Sequence, residues 1–364
     1  NDRIFDQIYI EFMKRNIKIS SSDLNKIIRG GVAMPYHPVK QYFDNLPIWD
    51  GEDHIGQLAK TVEIEDYGME MSQLWPHYLK KWLVAAAAQA TIEDATNHTC
   101  LVLMGGQGKG KTTWLNALCP GDLQHLRFTG HIRTNDKDSL NLLAEKFLVN
   151  IDDQLDLIKD LRYLKSMFTL DKVTNRKAFD KYNPIRPRIC SFVASVNNPE
   201  FLTDDQNRRY LVFSVKDVDF KGSERLNRRQ LWAQVKHLLS NGFRYWFDLD
   251  ENEQISTIND AFRVKPEEEE MLMQFFEPDE KGKPMMQTEI LQYLQARSTS
   301  RLNSRILSTS LKKRDFPRKG VRMKVGNKES TRYVYLVREL SDHDRVVQEH
   351  KIVAELAADD ALDK

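Results

Sequence analysis

The sequence predicts an α/β fold: a P-loop core, a helical segment before it, and a compact winged-helix-like unit after it. Three observations carry this. Between residues 98 and 215, short apolar runs ("CLVLM", "KFLVNID", "ICSFVASVN", "RYLVFSV") alternate with helical stretches, the pattern of a parallel sheet. The first run leads directly into "GGQGKGKT", which fits GxxxxGK[ST] at each fixed position. The segment before the core carries helical rather than strand periodicity.

Taken in order, "DRIFDQIYIEFMKRN" places Ile4, Phe5, Ile8, Phe12 and Met13 on one side of a helix, a stripe expected to be core. "SSSDLNKIIRGG" has a helix-starting cluster and a Gly-Gly stop. The aromatic loop "MPYHPVKQYFDNLPIWDGEDH" precedes a long helix over about 73–92, whose "WLVAAAAQA" is too short to span a membrane. After the core, a helix over 228–240 ends at Asn241-Gly242, and "VKPEEEEM" reads as an acidic boundary opening a solvated helix. "TEILQYLQAR", a helix around 305–313 and the β segment "VRMKVGNKESTRYVYLVREL" close the ordered chain. The expected domains are 1–95 (helical), 96–250 (P-loop core), 251–275 (linker), 276–340 (winged-helix-like) and 341–364 (charged tail).

Lys and Arg (54) balance Asp and Glu (53), so overall charge selects no partner and only local clusters can. The 3 cysteines are scattered, with no disulfide framework or CxxC pair; a reducing cytoplasm and no membrane segment are expected. His37, His54, His77 and His98 lack metal-ligand spacing, and "YHP" reads as a turn. The start at Asn1 suggests a piece of a longer polypeptide.

The glycine loop assigns nucleotide binding to Gly105, Gly106, Gln107, Gly108, Lys109, Gly110, Lys111, Thr112 and Thr113. Glycines let backbone N–H groups wrap phosphates at the start of the helix "TTWLNAL". Lys111 is expected on the β- and γ-phosphates of ATP, and Thr112 on Mg²⁺. Hydrolysis also needs a carboxylate on the metal and a group that orients water. "FLVNIDD" ends in Asp152, expected to hold Mg²⁺, and Asp153, expected to polarise water. "ICSFVASVN" ends at Asn197, an amide able to contact the γ-phosphate or the water. Arg208 and Arg209 stand before the next strand, where either is able to serve a neighbouring copy as an arginine finger.

These segments, in this order, together with "LWAQV" and "YHPVKQYFDNLPIWDG", resemble the virulence-associated protein E family over about residues 35–247. That family is grouped with superfamily 3-like helicases of phages and plasmids within the AAA+ class. The resemblance implies an ATP-driven, ring-forming homo-oligomer, a hexamer, that acts as a DNA helicase or translocase in replication of a mobile element. It implies Walker A roles for Lys111 and Thr112, Walker B roles for Asp152 and Asp153, a sensor role for Asn197, and the finger for Arg208 or Arg209. Relatives often carry Glu at the water-polarising position, so "DDQ" leaves Gln154 as an alternative to Asp153.

Two basic clusters point to nucleic acid. "TNRKAFDKYNPIRPR" sets Arg176, Lys177, Lys181, Arg186 and Arg188 among Phe179 and Tyr182, groups that neutralise phosphates and stack on bases. By the resemblance this is a hairpin in the ring channel, with Lys181 and Tyr182 at its tip on single-stranded DNA. The C-terminal unit offers Arg305, Lys312 and Lys313 on a helix suited to a duplex groove. The rival readings are an AAA+ switch or loader acting on a protein partner, and a nucleotide kinase on the same scaffold.

Overall fold

A computed structural model describes residues 2–29, 37–66, 70–133, 136–155, 162–174, 185–203, 207–325, 328–341 and 344. The chain divides between Arg263 and Val264 into two compact units. In the first, helices α1 (Asp2–Lys14), α2 (Ser21–Arg29), α3 (Pro38–Asp44) and α4 (His54–Ala59) precede strand β1 (Val62–Ile64) and helix α5 (Met71–Thr91). Then come β2 (Cys100–Met104), α6 (Lys111–Asn116), β3 (Arg127–Thr129), α7 (Lys137–Glu145), β4 (Leu148–Asp152) and α8 (Arg162–Thr169). A short pair, β5 (Lys172–Thr174) and β6 (Ile185–Pro187), leads to β7 (Ser191–Val196), β8 (Tyr210–Val218), α9 (Phe220–Arg225), α10 (Arg228–Ser240) and α11 (Leu249–Asn259).

The sheet order is β1-β8-β2-β7-β4-β3. All neighbours are parallel except β1, which runs antiparallel to β8 at the edge. Burial on both faces explains why the strands read as unbroken apolar runs: every residue of β2 and β7 is buried. From α3 onward, the helical segment expected over 1–95 belongs to the sheet's own core. Trp75 of α5 packs on Phe213 of β8 and Trp114 of α6, with ring centroids 4.9 and 5.8 Å apart. The alanine run Ala85–Ala88 is wholly buried, since small side chains let α5 approach the core closely. The stripe expected to make α1 core does not do so: Phe5, Ile8 and Phe12 are only half-buried and Met13 is about half exposed. His37 caps α3 by accepting from the Lys40 N–H at 3.1 Å, as a structural turn requires.

Arg188 departs furthest from expectation. Read in sequence as part of a phosphate-facing cluster, it is 1% exposed. Its guanidinium donates to five backbone carbonyls, those of Asn97, Met167, Phe168, Leu170 and Cys190, and lies over the Phe192 ring. A guanidinium presents five fixed N–H donors, which is why arginine can be buried here without a carboxylate. Its neighbour Arg186 is also engaged, donating to Glu145 and Asn141 at 3.2 and 2.6 Å.

The second unit has helices α12 (Glu267–Phe275), α13 (Gln287–Gln295) and α14 (Ser304–Lys313) with strands β9 (Phe276–Met286), β10 (Arg318–Val325) and β11 (Lys328–Glu339). Its antiparallel sheet has the order β10-β11-β9. Leu272, Ile290, Leu294, Leu307, Leu311 and Val337 form its core. The expected linker over 251–275 is therefore helical, α11 and α12. The acidic run is not simply solvated either: Glu269 is buried and accepts from Arg314 at 2.6 and 2.8 Å. Arg314 is thereby removed from the surface charge of the basic cluster.

Arg188→Ala leaves five buried carbonyls without their donor, so it should cost about 3 kcal/mol or more. Urea unfolding followed by circular dichroism measures this; a loss under about 1 kcal/mol would contradict the role assigned to the buried guanidinium.

Candidate nucleotide site

Register sets the geometry of the site. Strand β7 lies between β2 and β4, with Met104 opposite Val196 and Asp152 opposite Ser195. The carboxyl ends of all three strands therefore open onto one edge, where open α/β sheets hold ligands. The loop after β2 begins at Gly105, whose N–H donates to Val196 O at 3.1 Å. A Cβ at Gly105 would come within 2.8 Å of Val215 O, and its φ of +150° also favours glycine. Gly110 has φ +74° and lies under Phe220, whose ring would meet a Cβ at 1.7 Å. The loop is thus wedged between β8 and the start of α9 by backbone approach that a side chain would prevent.

Lys111 extends back across this loop. Its ammonium donates to Gly105 O at 2.7 Å, Gly106 O at 2.8 Å and Asn197 Oδ1 at 3.0 Å. Asn197 in turn donates from Nδ2 to Asp153 Oδ1 at 3.0 Å. Beside this chain, the Thr112 and Ser195 hydroxyls both donate to Asp152 Oδ1, at 2.7 and 2.6 Å, and lie 3.0 Å from each other. The site therefore holds two linked groups, Lys111–Asn197–Asp153 and Thr112–Ser195–Asp152. Burial holds the Lys111 ammonium below its ordinary pKa, Lys109 adds to this, and Asp153 and Asp152 oppose it. Asp153 has φ +44°, an uncommon conformation for a residue with a side chain; such strain tends to gather at functional sites.

Among the sequence-predicted residues, Lys111, Thr112, Asp152, Asp153 and Asn197 come together. Gln154 does not join them. Its amide closes on the backbone of Ile132, accepting from the N–H and donating to the carbonyl, both at 2.6 Å. Lys109 donates to Val215 O at 3.1 Å and lies 3.9 Å from Glu65. Thr113 is exposed on the first turn of α6. Arg208 and Arg209 precede β8, whose first residue Tyr210 pairs with Cys100 at the start of β2. They lie at the opposite end of the sheet from Lys111, about 17 Å away along a five-residue strand, beyond reach of this chain's own loop. Arg176, Lys177, Lys181 and Tyr182 lie outside the described residues. In the second unit Arg305 and Lys312 are exposed at i and i+7 on α14, and Lys313 is half-buried.

Ser195 is the residue that sequence reasoning missed. Its signal was a hydroxyl near the carboxyl end of a mostly apolar strand, two positions before Asn197 and so on the same face. Among the described residues no group of three or more His, Cys, Asp or Glu could hold a metal, so any cation here takes few protein ligands.

The profile of the virulence-associated protein E-like domain matches residues 43–264, a stretch that contains the whole site. The chain belongs to this family. No curated protein matches it. Solved structures similar to it are apo forms of the NrS-1 C-terminal region. One is 13% identical with TM-score 0.41, covering 64% of this chain and 56% of that one. A second is 11% identical with TM-score 0.46, covering 81% and 77%, and a third is 13% identical with TM-score 0.45, covering 81% and 78%. The chain thus spans little more than half of the first of these chains.

Asp153 is the first of the charges that hold the Lys111 pKa up against burial, so Asp153→Asn should lower it further. The Lys111 ammonium would then deprotonate at a lower pH than in the wild type. A ¹³C-lysine NMR titration of the two proteins measures this; an unchanged or higher pKa in Asp153→Asn would contradict the geometry.

Proposed function

We propose that this chain is an ATP hydrolase of the AAA+ type and that it works as an oligomeric DNA helicase or translocase in replication of a phage, plasmid or other mobile element. The observation that carries the reading is the meeting of Lys111, Thr112, Asp152, Asp153 and Asn197 at one strand edge through direct hydrogen bonds. Sheet order supports it: one strand, β7, separates the lysine loop from the acidic strand, so phosphate-binding and metal-binding groups face a common space.

In this reading Gly105 to Thr113 hold the phosphates through backbone N–H groups, and the Lys111 ammonium exchanges its loop carbonyls for β- and γ-phosphate oxygens. The donor set at Thr112 and Asp152 fits Mg²⁺, a hard cation that keeps most of its waters and binds through one or two carboxylates with phosphate oxygens. Ser195 fixes the Asp152 carboxylate. When bound, Mg²⁺ supplies neutralisation of the triphosphate charge. Asp153, held by Asn197, is the group placed to accept a proton from the attacking water, while Gln154 is spent on Ile132. Arginine at the far end of the sheet serves a neighbouring copy, which requires a closed homo-oligomer, a hexamer in the family reading. Single-stranded DNA is assigned to the segment with Arg176, Lys177, Lys181 and Tyr182. Duplex DNA is assigned to Arg305, Lys312 and Lys313 of the C-terminal unit, read as a winged helix.

The test is hydrolysis and strand separation by the full chain with Mg²⁺, with and without single-stranded DNA. Lys111→Ala and Asp152→Asn should lower hydrolysis by on the order of 10³-fold or more. Ser195→Ala should lower it by about tenfold through a misplaced carboxylate. Wild-type hydrolysis with no response to DNA and no unwinding would favour a loader acting on a protein partner; no hydrolysis at all would overturn the reading.

A further inference from the structure

The two adjacent arginines before β8 are differently engaged. Arg208 is exposed, and among the described residues its guanidinium makes no hydrogen bond or ion pair. Both arginines line a cleft of about 370 Å³ together with His98, Tyr245 and Trp246. Arg209 is half-buried and donates from Nη1 to Lys165 O at 3.0 Å.

That acceptor lies in the last turns of α8. The final carbonyls of a helix have no partner within it and favour cations. Arg188 takes two of these, Met167 O and Phe168 O, together with Leu170 O just past the helix. Arg209 takes Lys165 O, just before those final carbonyls, which also accepts from the Thr169 hydroxyl at 3.3 Å. Both ends of the β5–β6 pair are tied to the same place. Its first strand begins one residue after Asp171, and the Arg188 N–H, just past β6, donates to Asp171 O at 2.8 Å. Meanwhile Arg209 O accepts from Cys100 N at 2.8 Å, fixing that residue to the start of β2.

We infer that Arg208 and Arg209 divide two tasks: Arg208 reaches the neighbouring copy's nucleotide, and Arg209 is a positioning residue that ties Arg208 to α8 and so to the base of the β5–β6 pair. This rests on the ATPase reading above and selects between the two finger candidates that sequence left open. A displacement of Arg208 on meeting a neighbour's phosphate passes along one peptide unit to Arg209. From there it reaches α8, which leads through Asp171 into β5, and the segment assigned to single-stranded DNA follows β5 in sequence.

The experiment compares wild type, Arg208→Ala, Arg209→Ala and Arg209→Lys as full chains, with thermal melts to identify any that fail to fold. Hydrogen exchange is read at residues 162–174 and 185–187, and ATP hydrolysis is read with and without oligo-dT. Arg209→Ala should speed exchange at the end of α8 by about tenfold, the effect of losing one charge-assisted hydrogen bond. Arg209→Ala should also bring the ratio of DNA-stimulated to unstimulated hydrolysis down to unity, and Arg209→Lys should recover part of both. Arg208→Ala should leave exchange at α8 as in the wild type and lower hydrolysis by on the order of 10³-fold, with and without DNA. The division is overturned if Arg209→Ala lowers unstimulated hydrolysis as far as Arg208→Ala does, or if it leaves the ratio and the exchange at wild-type values. Wild-type protein that hydrolyses no ATP would instead sink the ATPase reading, while the exchange at α8 would still report whether Arg209 holds the helix.

Discussion

The parallel register of β2, β7 and β4 is the constraint on which the rest of the first unit depends. Because β7 stands between the other two and ends level with them, polar residues at three strand ends meet although they are far apart in sequence. The close packing on both faces of the sheet makes the register costly to shift, since a one-residue slip would exchange the side chains packed on the two faces. Asp152 then has no option but to face Thr112 and Ser195, and Asn197 is held between Lys111 and Asp153. A buried Lys111 would be costly unpaired; Asn197 links it to Asp153, while the Thr112 and Ser195 hydroxyls satisfy the half-buried Asp152.

The opposite end of the sheet obeys a different logic. There the charges are arginines, and they are met by helix-end carbonyls rather than by acids. Arg188 is the extreme case, fully buried and satisfied by backbone alone. Such a guanidinium ties the base of the β5–β6 pair against the core. At the same root an exposed Arg208 stands next to Arg209, which is tied to Lys165 of α8.

Much of the cluster was legible because the glycine loop has fixed spacing, and the acidic strand end and the strand-terminal Asn197 follow it in the order the motif predicts. Ser195 was not legible because one serine in an apolar strand has many uses. Gln154 stayed open until its amide was seen closing on Ile132. Charge counting misread Arg188, since composition cannot distinguish a solvated arginine from one capping a helix, and it missed the pairing of Glu269 with Arg314 for the same reason. Periodicity found α1 but not its environment: an amphipathic stripe shows that a helix has an apolar face, not that the face is covered. The three-residue edge strand β1 was too short to give any signal, and the helical start of the core was expected as its own domain because a sheet's covering helices look alike whether or not they share its core.

The central claim is that the strand-edge cluster is a preassembled triphosphate site. Titration calorimetry of the full chain with a non-hydrolysable ATP analogue and Mg²⁺ tests it most directly. The account predicts saturable binding at one site per chain that disappears in Lys111→Ala. Absence of binding by the wild type, or equal binding by Lys111→Ala, would contradict it.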